Sequence, residues 1–298
     1  MKPCAFEYFT PSTVKEALQL LKSQGDGAKI LAGGQSLVAM MNFRAARPTV
    51  LIDINNIKEL DFLREEGSEI AIGALTRERT VEASPLIKEK CPILAKAISH
   101  IGHLPIRFRG TIGGSLVHAD PTAEIPIASV AMGAKIRIAG LSGERVVDAT
   151  DFFLTYLTSA LGEEEMVVEV RIPTFPPKST AWSYVDISRR HGDFAIVAVA
   201  SILSMEGDGV CREARIALGG VAPTPVRVKD AEGVLVGQKI TDKLIEEAAI
   251  KAAESKDVSP DSDYHATAEY RKAMAKVLTQ RGLKEAWTNF EGRNENGR

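Results

Sequence analysis

Two short glycine-bearing segments carry the groups best suited to holding a ligand: Ala32-Gly33-Gly34-Gln35-Ser36-Leu37 and Arg109-Gly110-Thr111-Ile112-Gly113-Gly114-Ser115. A diphosphate needs several main-chain N–H groups converging at short range, and only residues without a Cβ let the chain come that near and turn that sharply. In the first segment Gly33 and Gly34 permit the approach. Gln35 and Ser36 add donors, and a helical turn opening at Leu37 directs its positive end at the anion. The second segment adds the Thr111 and Ser115 hydroxyls and is followed by His118, Asp120, Pro121 and Glu124, whose carboxylates accept from sugar hydroxyls. Main-chain amides from both glycine pairs are therefore expected to converge on one dinucleotide. Either pair alone reads first as a tight turn in a chain with 24 glycines; their joint presence favours a ligand. Neither matches GxGxxG opening a helix or GxxxxGK[ST], so the residues alone stop at a phosphate-bearing ligand.

Weaker signals lie nearby. His100 and His103 flank Gly102, but no carboxylate completes an HExxH-like set, so loop or solvent roles outweigh a metal site. Arg107 and Arg109 read equally as phosphate clamps or as partners of surface carboxylates. Arg189-Arg190-His191 reads as a solvated basic run. Trp182, Tyr184 and Phe194 read as core. No side chain is assigned an acid-base role.

The elements that must position these groups are ordinary. A chain of 298 residues, 45% hydrophobic and 26% charged, is about twice the common domain size, so two domains are expected. A net charge of -2 supplies no positive field for nucleic acid or anionic membrane. Cys4, Cys91 and Cys211 are too scattered for a disulfide framework or an iron-sulfur cluster. The N-terminus lacks a signal-peptide pattern and no run approaches the roughly 20 apolar residues of a membrane span, which implies a cytoplasmic address. Thr10 as N-cap and Pro11 open an amphipathic helix, and apolar runs at 28–31 and 50–54 make a β-α-β start around the first glycine loop. Runs at 70–75, 134–138, 146–147 and 166–172 suit a second, antiparallel sheet, with one helix at 86–98. Pro173, Pro176 and Pro177 mark a linker. Strands at 182–187, 194–205 and 215–218, then helices at 242–253 and 268–278, complete a C-terminal α+β unit. Residues 291–298 form a polar, frayed tail.

At this point the residues resemble a known family, the medium flavin-binding subunits of molybdenum hydroxylases such as carbon monoxide, nicotinate and xanthine dehydrogenases. AGGQSL at 32–37, IRFRGTIGGSLVHADPTAE at 106–124 and SRRHGDFAIVAVA at 188–200 carry the resemblance, which covers essentially the whole chain. It implies an α+β fold with a two-subdomain FAD domain of the PCMH/vanillyl-alcohol-oxidase type at 1–175, its subdomains being about 1–55 and 56–175. A C-terminal domain at 178–290, a three-stranded antiparallel sheet with helices, would follow. It further implies noncovalent FAD. Ala32 to Ser36 would wrap the diphosphate, with Leu37 opening the helix. Thr111, Gly113, Gly114 and Ser115 would contact diphosphate and ribityl, and Ile101 would lie near the flavin. Asp120 and Glu124 would bond hydroxyls, and Val167 would touch the flavin or adenine side. Molybdopterin and [2Fe-2S] would sit on a large and a small partner subunit, in a dimer of heterotrimers. This chain would then relay electrons to NAD+, oxygen or a quinone. A stand-alone flavin oxidase or reductase and a non-enzymatic nucleotide-binding protein are the alternatives. The chain departs from the family pattern at Gln35, where His is usual, and at Phe108 and Ser115, where Asn is frequent. Val185 and Asp186 stand where relatives often place a Lys.

Overall fold

The structure, a computed structural model, describes residues 2–176, 178–206 and 209–295. Pro177 of the expected linker and residues 296–298 of the expected tail lie outside the described residues. Five elements open the chain: β1 (Glu7–Phe9), α1 (Val14–Gln24), β2 (Ala28–Leu31), α2 (Leu37–Asn42) and β3 (Val50–Asp53). The three strands form a parallel sheet in the order β1-β3-β2. As the central strand, β3 is covered on both sides and so reads as an unbroken apolar run, Val50-Leu51-Ile52. Helix α1 starts three residues later than Thr10 predicts. Its cap is Thr13, whose hydroxyl accepts from the Glu16 N–H at 3.2 Å, while the Glu16 carboxylate reaches back to the Ser12 N–H at 2.8 Å. Those paired bonds outweigh the preference of Pro11 for a first helical turn. The buried face is Ala17, Leu18 and Leu21.

The middle of the chain runs through β4 (Leu63–Glu66), β5 (Glu69–Gly73), α3 (Glu78–Ala83), α4 (Pro85–Lys90), α5 (Pro92–His100), α6 (Leu104–Arg107), α7 (Ile112–His118) and α8 (Glu124–Met132). It continues with β6 (Lys135–Gly140), β7 (Gly143–Asp148), α9 (Ala149–Phe152), the small pair β8 (Phe153–Thr155) and β9 (Thr158–Ser159), and β10 (Glu165–Pro173). The expected antiparallel sheet has the order β4-β5-β10-β6-β7. The single helix expected at 86–98 is two, because Pro92 bars its predecessor from helical backbone and Cys91 takes φ -147°, ψ 56°. Every residue of α8 is buried, Glu124 and Ser129 included, so this helix has no solvent face and must be enclosed on all sides.

What encloses it is the C-terminal part: β11 (Thr180–Ile187), β12 (Val197–Met205), β13 (Cys211–Gly219), β14 (Val226–Arg227), α10 (Lys229–Leu235), α11 (Asp242–Glu254) and α12 (Ala268–Glu295). The three long strands form the expected antiparallel sheet, and two-residue β14 adds a short edge. Strand β12 alternates with period two, yet both faces are apolar. Ala198, Ala200 and Ile202 join the core shared with α8, whereas Val197, Val199 and Leu203 join the core under the C-terminal helices. At Gly219 the sheet comes so close to α8 that a Cβ would lie 2.1 Å from the Ile127 side chain. The main core therefore crosses the proline-rich linker. Helix α12 continues well past Leu278, because Leu283, Ala286 and Phe290 extend its buried stripe. Residues 291–295 are helical in consequence, where a frayed tail was expected. No helix among the described residues is long and apolar enough to cross a membrane.

Helix α10 offers a clean test of local energetics. Gly233 is exposed inside it, and a Cβ there would meet nothing within 4 Å. Gly233→Ala should raise unfolding stability by about 0.5–1 kcal/mol in a denaturant titration, through reduced backbone entropy in the unfolded chain; a loss of stability would contradict this packing.

Candidate functional site

The two glycine segments, more than 70 residues apart in sequence, meet in space. The first leaves β2 and passes Gly33, which is buried against the second: a Cβ on Gly33 would lie 2.3 Å from the Arg109 carbonyl oxygen and 2.9 Å from the Gly110 Cα. Only glycine fits there. Gly34 follows at φ +71°, backbone that L side chains seldom adopt. A polar clasp fixes the contact. Asn55 donates to the Ala32 carbonyl at 2.9 Å and to Asp53 at 2.6 Å, and Arg77 donates to the Asn55 side chain at 2.6 Å and to the Arg109 carbonyl at 2.6 Å. One guanidinium thus ties both loops, with the planar fork that only arginine supplies. Burial pushes the Asp53 carboxyl up, but bonds from Tyr8 and Asn55 and the Arg77 charge more than offset it, leaving the group below its ordinary range. Sequence reading missed Asn55 and Arg77. Arg77 finds its partners 22 and 32 residues away and Asn55 reaches the first loop across 23, so no local pattern signals the clasp.

The two loops contribute differently, and the expectation that main-chain amides of both glycine pairs converge on one ligand needs correcting for the second. In the first, nothing among the described residues accepts from the main-chain N–H groups of Gly33, Gly34, Gln35 and Ser36. These four donors are adjacent and available. In the second, Gly113-Gly114 is no turn but the first turn of α7. Ile112 donates to Thr76, Gly113 to Ala74, Gly114 to the Thr111 hydroxyl at 3.1 Å and Ser115 to the Thr111 carbonyl. Those amides are spent. Thr111 is the N-cap and only 1% exposed, and Gly113 is buried because a Cβ would meet Ala74 at 2.7 Å. Gly114 and Ser115 remain partly exposed, so the second loop presents a hydroxyl and a close main-chain surface.

The other expected residues fall around this junction. Leu37 opens α2, partly exposed. The Gln35 amide folds back on the Gly33 carbonyl at 3.1 Å, spending one of its donors within the loop. Ile101 ends α5, and its carbonyl accepts from Arg107 at 2.7 Å. Arg107 is neither phosphate clamp nor surface partner: buried, it bonds Glu82 at 3.1 Å and holds the 99–102 main chain. Gly192 of the basic loop packs against Gly102 and His103, while Phe194, expected in the core, is 66% exposed. Asp120 bonds the Thr122 N–H and hydroxyl through one oxygen. Val167 lies in the main core beside a bulge of β10, 5% exposed. Asp186 pairs with His100 at 3.1 Å and Phe108 is exposed.

Beneath the junction lies a buried acidic pair. Glu78 is 5% exposed and Glu124 7% exposed. Burial first, then the charge of Glu124, pushes Glu78 up to about 8 against the pull of Arg107. Burial, then Asp186 and Asp120, pushes Glu124 up to about 7, despite its own backbone bond. No group of His, Cys, Asp and Glu among the described residues could hold a metal ion.

Comparison with known proteins places this arrangement. Residues 4–175 match the model of the FAD binding domain in molybdopterin dehydrogenase, and residues 182–286 that of the CO dehydrogenase flavoprotein C-terminal domain. The chain is 41% identical to the carbon monoxide dehydrogenase medium chain of Hydrogenophaga pseudoflava over 288 residues, covering 96% of this chain and 99% of the relative. It is 40% identical to the 6-hydroxypseudooxynicotine dehydrogenase complex subunit alpha of Paenarthrobacter nicotinovorans, at 96% of each. A solved carbon monoxide dehydrogenase from Hydrogenophaga pseudoflava superimposes with a TM-score of 0.93, at 41% identity over 97% of this chain and 99% of that one.

Arg77→Ala unties both loops at once and should weaken FAD binding at least tenfold, about 1.4 kcal/mol, in a flavin fluorescence titration. Gly33→Ala should do the same by forcing the loops apart. An unchanged dissociation constant in either variant would contradict the clasp.

Proposed function

Because the chain belongs to the family of FAD-binding subunits of molybdopterin dehydrogenases, which are oxidoreductase components, we propose that it holds FAD noncovalently and relays electrons through it. The observation that carries this reading is the row of four unspent main-chain donors, Gly33 to Ser36, braced by Gly33 against the second loop. Such a row suits a diphosphate, which offers many acceptors and no donors. The residues present therefore fit the cofactor.

FAD when bound supplies the redox step, and the protein supplies binding, orientation and access. Ala32 to Ser36 hold the diphosphate, with Ser36 and Leu37 leading into α2. Gly114 and the Ser115 hydroxyl present the second face. Thr111 and Gly113 act from behind by shaping that turn, and Asn55 and Arg77 keep the two loops in register. Asp120 has one oxygen unspent and Glu124 sits beyond it; both accept from sugar or ribityl hydroxyls. Ile101, on a main chain pinned by Arg107, offers an apolar contact to the ring, and Val167 backs the site from the core. No residue moves a proton on a substrate in this scheme. In place of the lysine that relatives often carry, Val185 and Asp186 put no positive charge near the ring.

The relatives bear names such as medium chain and complex subunit alpha, which supports a partner role. An iron-sulfur small subunit and a molybdopterin large subunit, in a dimer of heterotrimers, would deliver electrons that leave to NAD+, oxygen or a quinone. The FAD domain is assigned to 1–175 and the C-terminal domain to 178–290, in a cytoplasmic complex.

Purification of the tagged chain from its host should bring down one cysteine-rich small chain, one large chain and equimolar flavin, with absorbance at about 450 nm from the cofactor. Gly34→Asp or Gly114→Asp should remove that absorbance. Substrate should still reduce the iron-sulfur clusters of such a complex, but delivery to the external acceptor should stop. Turnover of a small organic substrate by the isolated chain would overturn the relay in favour of a stand-alone oxidase.

A further inference from the structure

Behind the second glycine loop, the Glu78 side chain occupies the place where any larger residue 110 would put its Cβ. A Cβ on Gly110 would lie 2.4 Å from Glu78 Oε2, 2.5 Å from its Cδ and 2.6 Å from its Oε1. The same residue donates its main-chain N–H to the Gly110 carbonyl at 3.0 Å. Glu78 is thus both the backbone partner and the floor of the turn that Gly33 presses on. Yet Glu78 Oε2 is buried with no hydrogen-bond partner among the described residues.

Its surroundings do not suit a charge. From α8 it faces Glu124, whose own neighbours are Asp120 and, from β11, Asp186. From α6 comes Arg107, already bonded to Glu82 of α3 and to three carbonyls. His100 of α5 is engaged with Asp186, and Arg77 with the clasp. Arg107, the cation whose charge reaches Glu78, therefore has a carboxylate and carbonyls of its own, and an ionised Glu78 would leave its buried Oε2 without a donor among the described residues.

We propose that Glu78 is a proton-linked positioning residue: neutral, it supports the Gly110 turn against the first loop, and on losing its proton it displaces that turn and weakens the grip on the dinucleotide. The inference rests on the reading of the site as an FAD site. Its chemistry is one O–H bond broken, with the proton passing to solvent and no electron moving.

The sign follows from the raised value. A carboxyl ordinarily near 4.5 and pushed up to about 8 in the folded chain contributes stability that is complete below about 4.5 and lost as the pH climbs through about 8. Cofactor affinity tied to the neutral form falls above about 8, where the folded chain itself has lost the proton.

The test is a titration of the FAD-stripped chain with FAD between about pH 6.5 and 9.5, followed by flavin fluorescence, alongside thermal midpoints of the stripped chain. Wild type should show a flat dissociation constant below about 7.5 and a rise approaching tenfold per pH unit above about 8. Its thermal midpoint should fall with rising pH up to about 8 and level off above it. Glu78→Gln should flatten both curves from whatever plateau it starts. Glu124→Gln, by removing a like charge, should move the wild-type rise to lower pH. A wild-type constant that stays flat to the top of the range, or a Glu78→Gln chain that rises as steeply as wild type, overturns the proposal. Failure of the wild-type chain to bind FAD at any pH overturns instead the flavin reading beneath it.

Discussion

The architecture of the site depends on one steric constraint: the first loop can touch the second only because residue 33 has no side chain. At 2.3 Å from the Arg109 carbonyl there is room for a hydrogen and nothing more. That contact turns two surface loops into one structure, and Arg77 and Asn55 then lock it by hydrogen bonds to the main chain of both. The amides of Gly33 to Ser36, without acceptors among the described residues, belong to a backbone that these contacts hold in place. A diphosphate held there, as proposed, would meet donors that need little ordering on binding, which is where affinity is otherwise lost.

The same economy runs through the second loop. Its glycines do not open the backbone for hydrogen bonding; they let a helix start almost in contact with Ala74 and with the first loop. Thr111 satisfies the amide of Gly114, so α7 begins with its donors filled and its role is support. Behind it, α8 is sealed between two sheets and carries Glu124 into the core. The C-terminal sheet thereby belongs to the same packed body as the flavin half, and Asp186 on β11 takes part in the acidic surroundings of Glu124.

Much of this was legible in the sequence because it is local. The parallel start around AGGQSL, the antiparallel strands of the middle and the long C-terminal strands follow from apolar runs and periodicity, and the glycine segments stood out by composition. What was not legible depends on distant partners. Helix α1 starts at Thr13 because Glu16 can reach back to Ser12, while Gly113-Gly114 lies in a helix capped by Thr111, with Ala74 leaving no room for a side chain at Gly113. Arg107 reads in the sequence as a phosphate clamp or a partner of surface carboxylates and Arg77 carries no local signal, yet Arg77 clasps both loops and Arg107 pins 99–102 from within. Phe194 looked like core and is exposed, since the alternation that buries β12 begins only after it.

Amide hydrogen exchange, measured on the chain with and without FAD, tests the central claim most directly. The account predicts that FAD slows exchange at Gly33 to Ser36 by an order of magnitude or more, as free donors acquire acceptors, whereas amides 112–115 exchange slowly in both states. Unchanged exchange at 33–36 when flavin binds, or protection appearing only at 112–115, would contradict it.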